Sequence, residues 1–138
     1  MSVGRPIRVL IVDDSAVSSN LLSAILDSEQ DIEVIGVAKD GLIALQLTLA
    51  LKPDLITMDI MMPNMDGVEA TRLIMQQCPT PIIILSAQAN LYSSTYCMNA
   101  LNEGALSVIA KPVNIGTSEF KDTQDLILKS IRALVEVH

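Results

Sequence analysis

Leu55-Ile56-Thr57-Met58-Asp59-Ile60-Met61-Met62-Pro63-Asn64-Met65-Asp66-Gly67 reads as a buried strand that ends in a carboxylate and then turns. The apolar run is long enough for a strand and delivers Asp59 to its carboxyl end, and Pro63 and Gly67 break the chain soon after. Open parallel α/β sheets bind ligands beyond the carboxyl ends of their strands. What a lone aspartate does at such a tip depends on what the rest of the chain brings to it.

Working outward, the same pattern recurs on both sides. Ile7 to Val12 is apolar apart from Arg8 and is followed by Asp13-Asp14-Ser15, a strand leading into a helix start that Asp14 or Ser15 can cap. From Ala16 to Leu26, Val17, Leu21, Leu22 and Ile25 recur at helical spacing and predict one buried face. Ile32 to Val37 predicts a second strand. Asp40-Gly41 then turns into a helix with Leu42, Leu45 and Leu49 on one face, stopped by Pro53. A third helix is expected over Val68 to Gln77, with Val68, Leu73 and Ile74 inward and Thr71 and Arg72 wet. Pro81 to Ser86 holds Ile82-Ile83-Ile84-Leu85, β-branched on both faces and therefore covered on both sides. Asn90 to Glu103 predicts loop and then helix, closed by Gly104. A strand over Leu106 to Ala110 runs into Lys111-Pro112. A last helix is expected from about Ser118 to Val135, with Phe120, Ile127, Ile131 and Leu134 on one face. Five strand–helix pairs in alternation predict one parallel sheet with helices on both faces, since parallel strands need crossover connections.

With 138 residues, half of them hydrophobic, the chain predicts a single domain over 1–138, its core from about 7 to 136. Nine Lys and Arg against 16 Asp and Glu give a formal charge of −7, no footprint for nucleic acid or an anionic membrane. The apolar runs are strand-length, with no membrane span and no signal-peptide core, so a cytoplasmic location is expected. Cys78 and Cys97 stand apart from any metal-type spacing and read as reduced structural thiols. His138 reads as a terminal residue rather than a ligand.

The polar residues that interrupt the strands all fall at the same end: Asp13 and Asp14 after the first, Asp59 after the third, Ser86 at the end of the fourth and Lys111 after the fifth. Each has an ordinary explanation alone, as a helix cap, a turn residue or a solvated loop lysine. Their joint order and spacing do not. In Asp13-Asp14, the segment Met58 to Gly67, Ser86-Ala87, Gly104-Ala105 and Lys111-Pro112, the sequence resembles the response regulator receiver domains of two-component signalling, from Ile7 to the final helix. The resemblance implies an α/β, flavodoxin-like, doubly wound sheet of order 2-1-3-4-5. It also implies that Asp59 accepts a phosphoryl group from a histidine kinase, with Mg²⁺ held by Asp13, Asp14, Asp59 and the backbone carbonyl of Met61. Lys111, the Ser86 hydroxyl and the Ala87 N–H would meet the phosphoryl oxygens, and a partner or output domain would read the switched state.

Elementary electrostatics is consistent with that set. Converging carboxylates repel by roughly 3 kcal/mol per pair at about 5 Å and an effective dielectric near 20, which calls for a cation. A hard divalent ion with oxygen ligands is the natural one. Phosphoryl transfer runs through a loose transition state stabilised chiefly by positioning and charge.

The family's usual switching aromatic on the fifth strand is replaced here by Val108, and Tyr92 and Tyr96 are the only candidates to stand in for it. Met61 and Gln88 flank the expected site and are expected to tune the phosphoryl lifetime. A long interval from Ser86 to Gly104 and an extra segment from Val113 to Thr117 look like the receiver that precedes a chemotaxis methylesterase domain, although no GxSxG elbow occurs in the chain. An aspartyl-phosphate phosphohydrolase is the alternative. It usually needs a second aspartate two residues after the nucleophile, where this chain has Met61. A flavin or nucleotide binder would need a glycine-rich loop where Asp13-Asp14-Ser15 stands.

Overall fold

The computed structural model describes residues 5–87 and 95–137. The expectations placed on Gln88, Tyr92, His138 and the start of the Asn90 to Glu103 segment lie outside the described residues. In chain order the elements are β1 (Ile7–Val12), α1 (Ala16–Asp27), β2 (Ile32–Ala38), α2 (Gly41–Leu51), β3 (Leu55–Met58), α3 (Gly67–Gln77), β4 (Ile82–Ser86), α4 (Thr95–Asn102), β5 (Ser107–Ala110) and α5 (Ser118–Val137). The strands form one parallel sheet of order β2-β1-β3-β4-β5, the flavodoxin-like arrangement.

Strand alternation sorts the core into two layers. Leu10, Val12, Ile56, Met58, Ile82, Ile84 and Val108 pack with Ala44 and Leu45 of α2, Ala70 and Ile74 of α3, and Cys97 and Ala100 of α4. Val9, Ile11, Leu55, Ile83, Leu85 and Ile109 pack with Leu22, Ile25 and Leu26 of α1 and with Ile127, Leu128 and Ile131 of α5. All five β4 residues are buried, as cover on both faces requires. Burying one such isoleucine is worth about 1.5–3 kcal/mol relative to leaving it in water.

Register decides what meets at the carboxyl edge. Val12 pairs with Met58, so the next residues, Asp13 and Asp59, leave the sheet side by side. Ser86 pairs with Ala110, so Lys111 emerges at the same edge. Backbone bonds extend these ladders by one step: the N–H of Asp59 donates to Val12 O at 2.9 Å, that of Asp13 to Ala38 O at 2.9 Å, and that of Lys111 to Ser86 O at 2.9 Å.

Local signals act as their chemistry demands. Ser15 rather than Asp14 caps α1, accepting the Ser18 N–H, while Asp40 and Asp66 cap α2 and α3. Several helix faces depart from expectation. Val17 is 81% exposed, so the buried stripe of α1 begins beyond it with Ser19 and Leu22. In α2 the inward face is Gly41, Ala44, Leu45 and Thr48, and Leu42 and Leu49 are outside. Small residues face the sheet there because α2 also packs closely on α3. Thr71, expected wet, is fully buried, its hydroxyl satisfied by the Gly67 carbonyl at 2.7 Å one turn back. β2 runs on to Ala38, β5 starts at Ser107 with Leu106 exposed, and α5 continues to Val137. The α5 face is as expected: Ile127 and Ile131 are fully buried, flanked by half-buried Phe120 and Leu134.

Candidate functional site

Three of the loops that leave the carboxyl edge converge on one amine. Lys111, carried there by β5, sets its Nζ 2.8 Å from Asp13 Oδ2 and 3.1 Å from Asp59 Oδ2, and all three side chains are largely shielded from solvent. The remaining oxygens are engaged by backbone: the Ser15 N–H donates to Asp13 Oδ1 at 2.9 Å and the Ile60 N–H to Asp59 Oδ1 at 2.8 Å. Asp14 is exposed beside them. One carboxylate oxygen from each of Asp13, Asp14 and Asp59 lies within 4.8 Å of the others.

Burial is the largest influence on all three titrating groups at the centre, and it opposes charge on each. It prevails at Asp59, whose pKa is raised, with the neighbouring Asp13 charge adding to the rise against the pull of Lys111. At Asp13 burial is overcome by hydrogen bonds from Lys111, Ser18 and the Ser15 N–H, and the pKa falls. Lys111 is held above its ordinary value because its two carboxylate partners outweigh burial. Of the two buried carboxylates, Asp59 is therefore the less stabilised anion and the more basic.

With three carboxylates and one ammonium, the cluster keeps an excess of negative charge. Its donor set fits a small hard cation. Opposite ligands around Mg²⁺ stand roughly 4.2 Å apart at about 2.1 Å per bond, close to the span the three carboxylates already have. Asp13, Asp14 and Asp59 would hold such an ion, which needs no nitrogen or sulfur ligand.

The sequence-predicted residues are distributed as follows. Asp13, Asp14, Asp59 and Lys111 come together. Ser86 is buried at the end of β4, and Ala87 follows it, exposed at the same edge. Met61 lies in the loop after Asp59 with its side chain 55% exposed. Val108 is buried in the layer of α2, α3 and α4 beside small residues, Cys97, Ala100 and Ala105, while Tyr96 is 47% exposed and does not fill the place of a core aromatic.

The loop is held by Gly67, read from the sequence only as a turn residue, and by Asn64, which the sequence reading did not single out. A Cβ at Gly67 would lie 2.1 Å from the Asp59 carbonyl oxygen, so only glycine lets α3 start this close to the phosphoacceptor candidate. The Gly67 N–H closes the loop on the Ile60 carbonyl at 2.8 Å. Asn64 has φ 65° and bonds Asp40. The Asn between Pro63 and Gly67 was the available sign, since asparagine tolerates the left-handed region better than most residues.

Comparison with known proteins points the same way. Residues 9–119 match the family model for the response regulator receiver domain. The chain is 43% identical over 133 residues to a protein-glutamate methylesterase/protein-glutamine glutaminase of Thermotoga maritima, covering 96% of this chain and 38% of that protein. A second such protein, from Methanospirillum hungatei, is 45% identical, with 95% and 37% covered. The chain thus spans under two-fifths of these relatives. Among solved structures, the response regulator domain of Thermotoga maritima CheB superposes with a TM-score of 0.86 at 42% identity, covering 97% of this chain and 99% of that one. CheY in a CheX–CheY–BeF3–Mg complex from Borrelia burgdorferi gives 0.78 at 28% identity, with 95% and 90% covered.

Proposed function

The chain belongs to the response regulator receiver domain family, and on that premise we propose that Asp59 is its phosphoacceptor, phosphorylated by a histidine kinase with Mg²⁺ as cofactor. The observation that carries this reading is the Lys111 ammonium set between Asp13 and Asp59 at the sheet's carboxyl edge, with Asp14 alongside.

The ionised Asp59 carboxylate attacks phosphorus. The P–N bond of the donor phosphohistidine breaks, and its electron pair leaves with the imidazole nitrogen. An Mg²⁺ bound by Asp13, Asp14 and Asp59, with the Met61 carbonyl as a further ligand, would neutralise charge on the transferring group. Once Asp59 is an acyl phosphate, Lys111 exchanges its Asp59 carboxylate partner for a phosphoryl oxygen while Asp13, at 2.8 Å, keeps its ammonium at the site, so the positive charge is supplied from close by. The Ser86 hydroxyl and the Ala87 N–H, at the end of the strand between Asp59 and Lys111, donate to the others. Movement of Ser86 toward the new group biases the surface built by α4, β5 and α5, a population shift driven by contacts that exist only in the phosphorylated state. With Val108 in place of a core aromatic on β5, and Tyr96 47% exposed, neither supplies a core aromatic to this shift.

The CheB-type relatives favour a methylesterase as the output that this receiver controls, and a cytoplasmic setting suits them. No described helix is long and apolar enough to cross a membrane. The phosphohydrolase alternative is not favoured, since the position of its acid/base carries exposed Met61.

Incubation with acetyl phosphate and Mg²⁺ should add the mass of one phosphoryl group, and chelator or Asp59→Asn should abolish it. Full labelling of the Asp59→Asn protein would overturn the assignment.

A further inference from the structure

Asp40 lies outside the acidic cluster, 7% exposed at the start of α2, and both its carboxylate oxygens are used. Oδ1 accepts the Ile43 N–H at 2.9 Å, the capping bond. Oδ2 accepts Nδ2 of Asn64 at 2.8 Å, in the loop that follows Asp59. Capping needs one oxygen, and serine would supply it. The second oxygen reaches across to a different element.

The neighbouring residues double the link. The Gly41 N–H donates to the Met65 carbonyl at 2.9 Å, and a Cβ on Gly41 would lie 2.6 Å from that oxygen. One residue before the Lys39-Asp40 pair, Ala38 accepts the Asp13 N–H at 2.9 Å. The β2–α2 turn is therefore fastened to both sides of the acidic cluster, to Asp13 through Ala38 and to the Asp59 loop through Asp40 and Gly41. Asn64 sits at φ 65°, a conformation that costs a non-glycine residue free energy and persists where its surroundings hold it. A hydrogen bond to a shielded carboxylate is of the stronger kind and can do so.

We propose that Asp40 is a positioning residue: through Asn64 it holds the Asp59–Asp66 loop at the spacing a divalent cation requires, so that cation affinity depends on a carboxylate that does not touch the ion. The inference rests on the Mg²⁺-binding reading given above.

The test is calorimetric titration of the full chain with Mg²⁺, for wild type, Asp40→Ser, Asn64→Gly and the double variant, with Asp59→Asn as control. Serine keeps the cap and is too short to reach Asn64, and glycine adopts φ 65° freely while lacking the amide. Each single change should weaken Mg²⁺ binding about 10-fold, the lower end of the range for lost outer-shell support of a metal site. The double variant should be no weaker than the weaker single, since both delete one bond. Melting in chelator reports the fold separately, and Asn64→Gly alone carries the test if Asp40→Ser melts below the assay temperature. Single variants within about twofold of wild type, or losses that multiply in the double, overturn the inference while leaving the site reading intact if Asp59→Asn no longer binds. A wild-type protein that takes up no Mg²⁺ overturns both.

Discussion

Thr57 stands two residues before Asp59, 1% exposed, and its hydroxyl is the buried side-chain oxygen without a hydrogen-bond partner among the described residues. Strand alternation places it in the layer of Val9, Ile11 and Ile83, where a hydroxyl is desolvated and gains little in return. Valine has the same shape without that cost. Thr57→Val should stabilise the protein by about 1 kcal/mol in urea denaturation. Destabilisation instead would mean that the hydroxyl binds a buried water. Gly67 marks the opposite constraint, where an added methyl group has nowhere to go because the Asp59 carbonyl already fills its place. Both residues lie in the quoted stretch, yet neither consequence follows from its letters. An apolar run shows that a threonine is buried but not whether an acceptor lies within reach, and a glycine after Pro63 signals a turn without naming what approaches it.

At the scale of elements, α5 is anchored by more than its apolar face. Arg132 donates through Nε and Nη2 to both oxygens of Asp31 at 2.8 Å, and Nη2 also meets Glu29 at 2.7 Å, tying the last helix to the α1–β2 turn. Hydrogen bonding from Arg132 is the leading reason that the Asp31 pKa falls below its ordinary value. Asp31 is more than half exposed, which limits the net contribution to about 1 kcal/mol or less despite the two-pronged geometry. Arg132→Ala should lower the melting temperature by no more than about 3–5 °C. The loss should shrink in molar salt, where charges this exposed are screened. A depressed carboxyl pKa stabilises above the unfolded value of 3.8 and loses that contribution as pH falls through the folded value, so the deficit should also fade on acidification below about pH 4. The face of α5 is easily read because charged residues mark its wet side, whereas in α3 the buried face also takes Thr71, whose hydroxyl bonds its own helix. In α2 no residue carries a charge, and leucine spacing alone identifies Leu45 but misplaces Leu42 and Leu49: Ala44 and Thr48 face inward with Leu45 where the helix packs on both the sheet and α3.

For the whole molecule, the acidic cluster sets stability against ligand affinity. The raised pKa of Asp59 means that its ionisation destabilises the fold: the penalty is absent below the unfolded value of 3.8, grows as pH rises through the folded value and is complete above it. Asp13 runs the other way, stabilising above 3.8 and losing that contribution as pH falls through its depressed folded value. In chelator at pH 7, Asp59→Asn should therefore raise the melting temperature by a few degrees, with the gain vanishing toward pH 4. Added Mg²⁺ should raise the wild type and leave the variant nearly unmoved, because only a site that binds the ion is stabilised by mass action. Equal responses would count against a shared pocket. The order of the strands came from the family resemblance, whereas the five strands, their parallel sense and the carboxyl edge carrying Asp13, Asp59, Ser86 and Lys111 were legible in the sequence, because apolar periodicity and strand length are local properties and alternation with helices calls for parallel crossovers. The Lys111 bridge, the opposed pKa shifts of two neighbouring aspartates and the Asp40 to Asn64 link were not. Each depends on distances of a few ångströms between residues far apart in the chain, and only tertiary register, strand beside strand, determines those.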